Sequence, residues 1–177
     1  RDVLAFLGEP KVKQKKHNNT LIFRFDSESI PVVPIRLKVE INCKEHFNVL
    51  GLHKMDFSVE NQWYKGNCQV TTYHLNELIG TKLRALYQRR KGRDLFDLYK
   101  ALTAATLNCD KVVECYHKYM DFAVDNPPSQ KEFLQNMEIK MQDDEFLGDT
   151  ELLLRSGEKF DPQKAYELIK RELIEKI

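Results

Sequence analysis

The chain has 177 residues, 42% of them hydrophobic, and its aromatic side chains comprise 10 Phe, 7 Tyr and 1 Trp. This composition supports a packed core and excludes a wholly disordered chain, and the length favours one domain or one and a half. The net charge of +1 hides an asymmetry: residues 1–109 carry 18 basic and 11 acidic side chains, whereas residues 110–177 carry 10 and 16. The basic part suits a polyanionic partner such as nucleotide phosphate or RNA, and the alternative is a solvated surface with accidental clustering.

Membrane and zinc-binding classes find no support in the sequence. No apolar run approaches the roughly 20 residues that span a bilayer. The four cysteines show no Cys-x-x-Cys spacing, which argues against zinc and indicates reduced thiols of a cytoplasmic protein. The chain begins with Arg rather than Met and has no signal-peptide pattern, so we expect it to start partway through a gene product.

The first part of the chain is predicted to be mostly sheet. After a short helix near residues 2–7 and a lysine-rich loop or edge, residues 21–25 indicate a strand. Residues 35–42 alternate strictly between apolar and polar side chains, which predicts one packed and one charged face. A third strand is predicted over residues 68–73.

From His74 onward the apolar spacing becomes helical. Helices are predicted from residue 75 to the Arg89-Arg-Lys-Gly92 break, from Arg93 to about Leu107, and near residues 110–124 and 130–141. A Ser129-x-x-Glu132 capping box and an Asp161-Pro162 start mark the last two helices. The sequence therefore predicts an α+β fold, with a sheet region over residues 1–73 and a helical region over residues 74–177.

Lys82 is the first candidate functional residue, because it rises from an apolar helical stripe. Its neighbours three and four residues away are Leu78, Ile79, Ala85 and Leu86. Lysine is rarely buried without a partner, so its ammonium either meets a protein carboxylate or a bound phosphate, or snorkels to the surface. Lys82 and Arg84 open a basic stretch with no acid in it, and we expect both to bind a nucleotide.

Arg93, Asp94 and Asp97 form a second candidate group on one face of the next helix. Arg93 and Asp97 are four residues apart, a spacing that permits an ordinary ion pair. Asp94 suits a first helical turn for reasons of the helix dipole alone. The functional alternative is that Asp97 holds a basic side chain of the preceding helix, so that the cations face a triphosphate in fixed geometry.

Glu40 is the third candidate, a carboxylate on the charged face of the alternating strand. Metal-dependent phosphoryl transfer uses such strand-borne carboxylates to hold Mg²⁺, although one carboxylate alone does not suffice, and a solvent-facing strand residue is the alternative. Asp26 and Glu28 are rejected as a metal pair, because Asp26-Ser-Glu-Ser29 before Pro31 has turn composition.

Three segments together resemble the AbiEii/AbiGii-type nucleotidyltransferase toxins. They are Leu37-Lys-Val-Glu-Ile-Asn42, Glu77-Leu-x-x-x-Lys82-Leu-x-Ala-Leu86 and Arg89-Arg-x-x-Arg-Asp-Leu-Phe-Asp-Leu98. The resemblance implies a DNA polymerase β-like nucleotidyltransferase sheet followed by a helical region. It also implies the toxin half of a bacterial toxin-antitoxin or phage-exclusion system, which transfers a nucleotide from a nucleoside triphosphate to tRNA or protein and pairs with a cognate antitoxin.

The same resemblance assigns roles by position. Glu40 matches the third metal-site carboxylate, Lys82 the nucleotide-phosphate lysine, and Arg93, Asp94 and Asp97 the Arg-Asp-x-x-Asp motif. Glu40, Lys82 and Asp97 are accordingly expected to be catalytic, and Arg93 and Asp94 to help bind the nucleotide.

One departure from the family pattern limits the expected activity. The Gly-Ser turn and the Asp-x-Asp that supply the first two metal carboxylates are absent from these 177 residues. We therefore expect Mg²⁺ only together with such missing N-terminal carboxylates, and we expect this chain to be catalytically incomplete. The competing hypothesis is a non-catalytic module that binds nucleotide, RNA or a protein.

Overall fold

The computed structural model describes residues 2–177, and the side chains of all of these except Asp2 and Leu152. The chain forms two compact units, Arg1–Phe47 and Asn48–Ile177. Five strands in two small antiparallel sheets precede the helices, so the predicted α+β order, with strands first and helices after them, is confirmed.

The first unit is built on a three-stranded antiparallel sheet with the order β1-β2-β3. A short 3₁₀ helix, Asp2–Leu7, precedes it, and the strands are β1 (Lys11–Lys15), β2 (Asn18–Asp26) and β3 (Pro34–Asn42). The lysine-rich segment, predicted as a loop or an edge, is thus an edge strand. Because β1 contains a single apolar residue, Val12, its sequence carries almost no strand periodicity.

The register of this sheet places every charged strand side chain on one face, which also holds the buried Ile22. Residues directly opposite each other share a face, and Leu21 pairs with Val12 and Val39 while Phe23 pairs with Leu37. That face carries no charged side chain. The opposite face, which we call the basic sheet face, carries Glu40, Asp26 and six cations: Lys11, Lys13, Lys15, Arg24, Arg36 and Lys38.

The second unit begins with a two-stranded hairpin of β4 (Leu52–Glu60) and β5 (Lys65–Tyr73). Strand β5 matches the strand predicted over residues 68–73, whereas β4 was not predicted. The helices follow: α1 (Leu75–Gln88), α2 (Gly92–Ala104), α3 (Cys109–Ala123), α4 (Gln130–Lys140), α5 (Asp144–Gly148) and α6 (Pro162–Glu172). The predicted capping box at Ser129 and Glu132 and the predicted cap at Asp161 are both present.

The core of the second unit lies between its helices. Helix α1 packs on α2 and α3, and α2 packs on α6. The fully buried side chains include Leu83, Leu86, Leu95, Leu98, Tyr116, Met120, Phe133 and Met137. Gly80 allows the close approach of α1 and α3, because a Cβ there would lie 2.7 Å from the Cβ of Cys115.

Candidate functional site

Lys82 of α1 lies against two carboxylates from the first turns of α2. Its Nζ is 2.5 Å from Oδ2 of Asp97 and 3.3 Å from Oδ1 of Asp94. Its side chain remains 36% exposed. The partner of the ammonium within the chain is therefore a carboxylate pair, and the arrangement in which Asp97 holds a basic side chain of the preceding helix is the one observed.

Asp94 is the centre of this arrangement, and its side chain is fully buried. Arg89, which follows the last residue of α1, donates two hydrogen bonds to the Asp94 carboxylate: from Nε to Oδ2 at 3.1 Å and from Nη2 to Oδ1 at 2.6 Å. With Lys82, two cations thus compensate one buried carboxylate, which is the condition for burying a charge without a large penalty. We call Lys82, Arg89, Asp94 and Asp97 the cation–carboxylate cluster.

Arg93 does not form the expected pair with Asp97. Its backbone N–H donates to Oδ2 of Asp149 at 3.2 Å, and its Nε lies 3.8 Å from the same oxygen. Asp97 instead faces Lys82 across the α1–α2 interface, and its Oδ2 accepts from that ammonium. The expectation of an Arg93–Asp97 ion pair is therefore corrected.

Arg84 lies apart from the cluster. Two residues along a helix correspond to a rotation of about 200°, so Arg84 and Lys82 point to different sides of α1. Arg84 Nη1 donates to the backbone carbonyl of Tyr119 in α3 at 3.4 Å, and the guanidinium carbon lies 5.4 Å from the centre of the Tyr119 ring. The structure thus brings Lys82, Asp94 and Asp97 together and leaves Arg84 and Arg93 outside the group.

The corner between α1 and α2 is held by acids from the C-terminal part of the chain. Arg90 pairs with Asp143, and Lys91 Nζ lies 3.6 Å from Oδ1 of Asp149. The guanidinium of Arg90 lowers the pKa of the Asp143 carboxyl below its usual value. Gly92 is required at this corner, because a Cβ there would lie 2.0 Å from the carbonyl oxygen of Phe146.

Two buried charged residues beside the site were not predicted. Lys140 of α4 is 6% exposed, and its Nζ donates to the carbonyl oxygens of Leu86 and, at 2.8 Å, of Tyr87. Its sequence signal was available: Lys140 follows Phe133 and Met137 at helical spacing, so it rises from an apolar stripe as Lys82 does.

Glu77 is the second buried charged residue that was not predicted, and its side chain is fully buried. Its carboxylate accepts the backbone N–H groups of Val49 and Leu50 at 2.8 and 2.9 Å and the hydroxyl of Tyr119 at 2.7 Å. These donors come from 27 to 42 residues away, so no local pattern indicates them. Glu77 fixes the segment before β4 to helices α1 and α3.

Glu40 lies in the first unit, on the basic sheet face. It is directly opposite Thr20, and its Oε1 is 2.7 Å from Nζ of Lys38 on the same strand. A single carboxylate with a lysine partner does not fit Mg²⁺, which prefers an octahedron of oxygen ligands. Within the described part of the chain, no group of three or more His, Cys, Asp or Glu side chains is arranged to hold a metal.

Comparison with known proteins gives one match. A family model described as "Nucleotidyl transferase AbiEii toxin, Type IV TA system" matches residues 1–169 of the 177. The corresponding comparisons with curated proteins and with solved structures give no significant match. The resemblance inferred from the three sequence segments is confirmed.

Proposed function

The chain belongs to the AbiEii nucleotidyltransferase toxin family of type IV toxin-antitoxin systems, and we propose that its cation–carboxylate cluster binds the phosphates of a nucleoside triphosphate. The observation that carries this proposal is the geometry of Lys82. An ammonium has three N–H donors, and two of them are directed at Asp94 and Asp97. The third donor, on a partly exposed side chain held by two carboxylates, is pre-oriented for a phosphate oxygen.

Arg89 is the second phosphate-binding group that we propose. Its guanidinium uses two of its five N–H groups on Asp94, and its side chain is 54% exposed. Asp94 and Asp97 act as orienting anions that keep both cations in place. Arg89 thereby takes the place that the sequence suggested for Arg84 and Arg93, whose side chains lie against Tyr119 and Asp149.

We propose that the nucleotide acceptor is RNA, such as tRNA, rather than a protein, and the support comes from the basic sheet face. Arg24 and Arg36 are directly opposite each other, a like-charge pair that destabilises a sheet without an anionic partner. Of the six cations on this face, Lys38 alone has an ion pair with a described residue. A row of uncompensated cations at alternate positions suits a phosphodiester backbone.

Binding of Mg²⁺ is expected to require more carboxylates than Glu40 alone. Glu40 shares the basic sheet face and contributes one carboxylate, whereas Mg²⁺ sites use one or two carboxylates together with substrate phosphates. Since Glu40 is already paired with Lys38, we propose that Mg²⁺ is held only when further carboxylates are supplied.

The family membership and the proposed substrates also indicate the protein's partner and its cellular location. Membership of a type IV toxin-antitoxin family implies a nucleotide substrate and a cognate antitoxin protein. No helix of the described residues is long and apolar enough to cross a membrane. Because nucleoside triphosphates and tRNA occur in the cytoplasm, we propose that the protein acts there. We also propose that the toxin takes part in phage exclusion.

The test measures nucleotide binding before transfer. We expect the purified chain to bind labelled nucleoside triphosphates, and Lys82→Ala to lose at least tenfold in affinity, the loss typical of a charge-assisted phosphate contact of about 1.5–3 kcal/mol. Lys100→Ala is the matched control, because Lys100 is also a helix-borne, half-exposed lysine paired with a carboxylate, that of Glu158. Equal affinity of the two variants would contradict the assignment.

Transfer is tested with labelled nucleotide, Mg²⁺ and bulk tRNA. We expect this chain to bind nucleotide and to transfer none of it, because Glu40 offers too few oxygen ligands. Robust labelling of RNA would mean that the metal site is complete within these residues, with Asp26 or Glu28 recruited. Absence of any nucleotide or RNA binding would instead favour a protein-binding module.

A further inference from the structure

Lys140 caps a helix to which it does not belong. The last four carbonyl groups of an α-helix lack partners within the helix, and the last turn of α1 contains no basic residue. The Lys140 ammonium, on α4, supplies donors to two of these carbonyls, those of Leu86 and Tyr87. It also places a positive charge where the helix dipole is negative.

The capped turn leads directly to the cation–carboxylate cluster. Two residues after Tyr87 comes Arg89, the C-cap of α1, whose backbone N–H donates to the Ala85 carbonyl at 2.8 Å. The Arg89 guanidinium then holds Asp94, which also accepts from Lys82. The last turn of α1 is therefore linked, through Arg89 and Asp94, to both proposed phosphate-binding cations.

We propose that Lys140 is a positioning residue for phosphate binding: its charged ammonium fixes the last turn of α1, so that nucleotide affinity depends on its protonation. This inference rests on the proposed function of the cluster. It assigns to Lys140 an effect on affinity through Arg89 and Asp94, without contact to the nucleotide.

The surroundings of Lys140 make its protonation sensitive near physiological pH. Burial lowers the pKa of Lys140 to about 8, and the negative charge of Asp94 on α2 opposes this shift. Further charged groups at this corner are Arg89, Arg90 and Lys91 between α1 and α2, and Asp143, Glu145 and Asp149 after α4. Arg90 and Asp143 pair with each other, and Arg89 pairs with Asp94.

Deprotonation of Lys140 is expected to have opposite effects on nucleotide affinity and on the stability of the folded chain. The folded-state pKa lies below the ordinary value of 10.5, so between about pH 8 and 10.5 the unfolded chain binds more protons at this lysine. Its contribution to the free energy of unfolding therefore rises with pH in that range. Nucleotide affinity should fall over the same range, because the neutral amine caps the last turn of α1 less strongly than the ammonium does and Arg89 is then held less firmly.

The experiment compares nucleotide affinity between pH 7 and 9.5. We expect the dissociation constant of wild type to increase about three- to tenfold with a midpoint near pH 8, the scale of losing one charge-assisted contact in a partly solvated site. Lys140→Met keeps the apolar stem and removes the ammonium, so it should bind weakly at pH 7 and show a flat profile. Lys131→Met, on the exposed side of α4, should behave as wild type.

A second measurement covers the case in which Lys140→Met does not fold. In wild type, NMR of ¹³C-labelled lysine should show one lysine titrating near pH 8, and nucleotide should raise its pKa. A flat affinity profile in wild type, or a lysine titration that nucleotide does not move, overturns the positioning role while leaving phosphate binding through Lys82 intact. Loss of the proposed function itself is recognised separately, since Lys82→Ala would then bind nucleotide as wild type does, and both proposals would fall.

Discussion

Replacing Asp94 by Asn should destabilise the second unit more than any other single change in the cation–carboxylate cluster. The amide has nearly the same shape, but one of its two oxygens becomes an NH₂ group that faces the donors of Arg89 or Lys82. The variant thus loses one of the three hydrogen bonds if the NH₂ group replaces Oδ2, or two if it replaces Oδ1, and it leaves two cations without their shared anion. The carboxylate site has no access to water that would compensate for the change.

The magnitude follows from the burial of the three partners. Removing one member of a fully buried ion pair costs about 3–5 kcal/mol. Lys82 and Arg89 are partly exposed and regain hydration, so we reduce this figure to about 2–3 kcal/mol. For a unit of this size, the change corresponds to a decrease in melting temperature of roughly 5–12 °C.

Urea denaturation of wild type and Asp94→Asn, with Asp97→Asn as the matched control, measures this difference. Asp97 is 41% exposed and contacts a single cation, so its neutralisation should cost at most about 1 kcal/mol. A loss below 0.5 kcal/mol for Asp94→Asn, or equal losses for the two variants, would refute the reasoning that burial of Asp94 organises the cluster.

Three further substitutions test either nucleotide binding or the stability of the second unit. Asp97→Asn should weaken nucleotide binding about three- to tenfold with little change in melting temperature, because it frees Lys82 without uncovering a buried group; isothermal titration at pH 7 measures this. Gly92→Ala should destabilise the chain by about 2 kcal/mol or more, since the new Cβ meets the Phe146 carbonyl; a melting temperature equal to that of wild type would contradict the close approach. Glu77→Gln should cost about 1–3 kcal/mol in denaturation, because an amide cannot accept all three hydrogen bonds, and amide exchange should accelerate at residues 49–50 while remaining slow in α4.

Five of the described α-helices were predictable from their apolar spacing, and α1, α3, α4 and α6 also have side-chain N-caps, whereas α2 has none. The five-residue helix α5 was not predicted, because it is too short to show a helical period. The strand β4 carried a signal as well, since Met55, Phe57 and Val59 alternate with charged and polar residues, and that pattern predicts a strand. Edge strand β1 is different, because Val12 is its only apolar residue and its pairing with β2 determines its conformation.

The features of the candidate site that depend on residues close together in the sequence were predictable. A lysine on an apolar helical stripe identified Lys82, and the spacing of Asp94 and Asp97 placed both on one face of the next helix. The sequence did not indicate which cation each acid holds, because Asp97 contacts a lysine 15 residues away and Arg93 contacts an aspartate 56 residues away. Pairings of this kind depend on how the helices pack, and local spacing does not determine packing.

The charge asymmetry of the sequence divides into two physically different parts. In the second unit, the basic residues after Arg89 are compensated within the chain, since Asp143 holds Arg90 and Asp149 holds Lys91 and Arg93. Two of the 16 acidic residues after Cys109, Asp143 and Asp149, therefore have a structural role at this corner. The basic sheet face of the first unit has no such compensation beyond Lys38 and Glu40 among the residues described. We accordingly expect a polyanionic partner to bind that sheet face. The helical unit retains Lys82 and Arg89 as two oriented cations, a set suited to the phosphates of a single nucleotide.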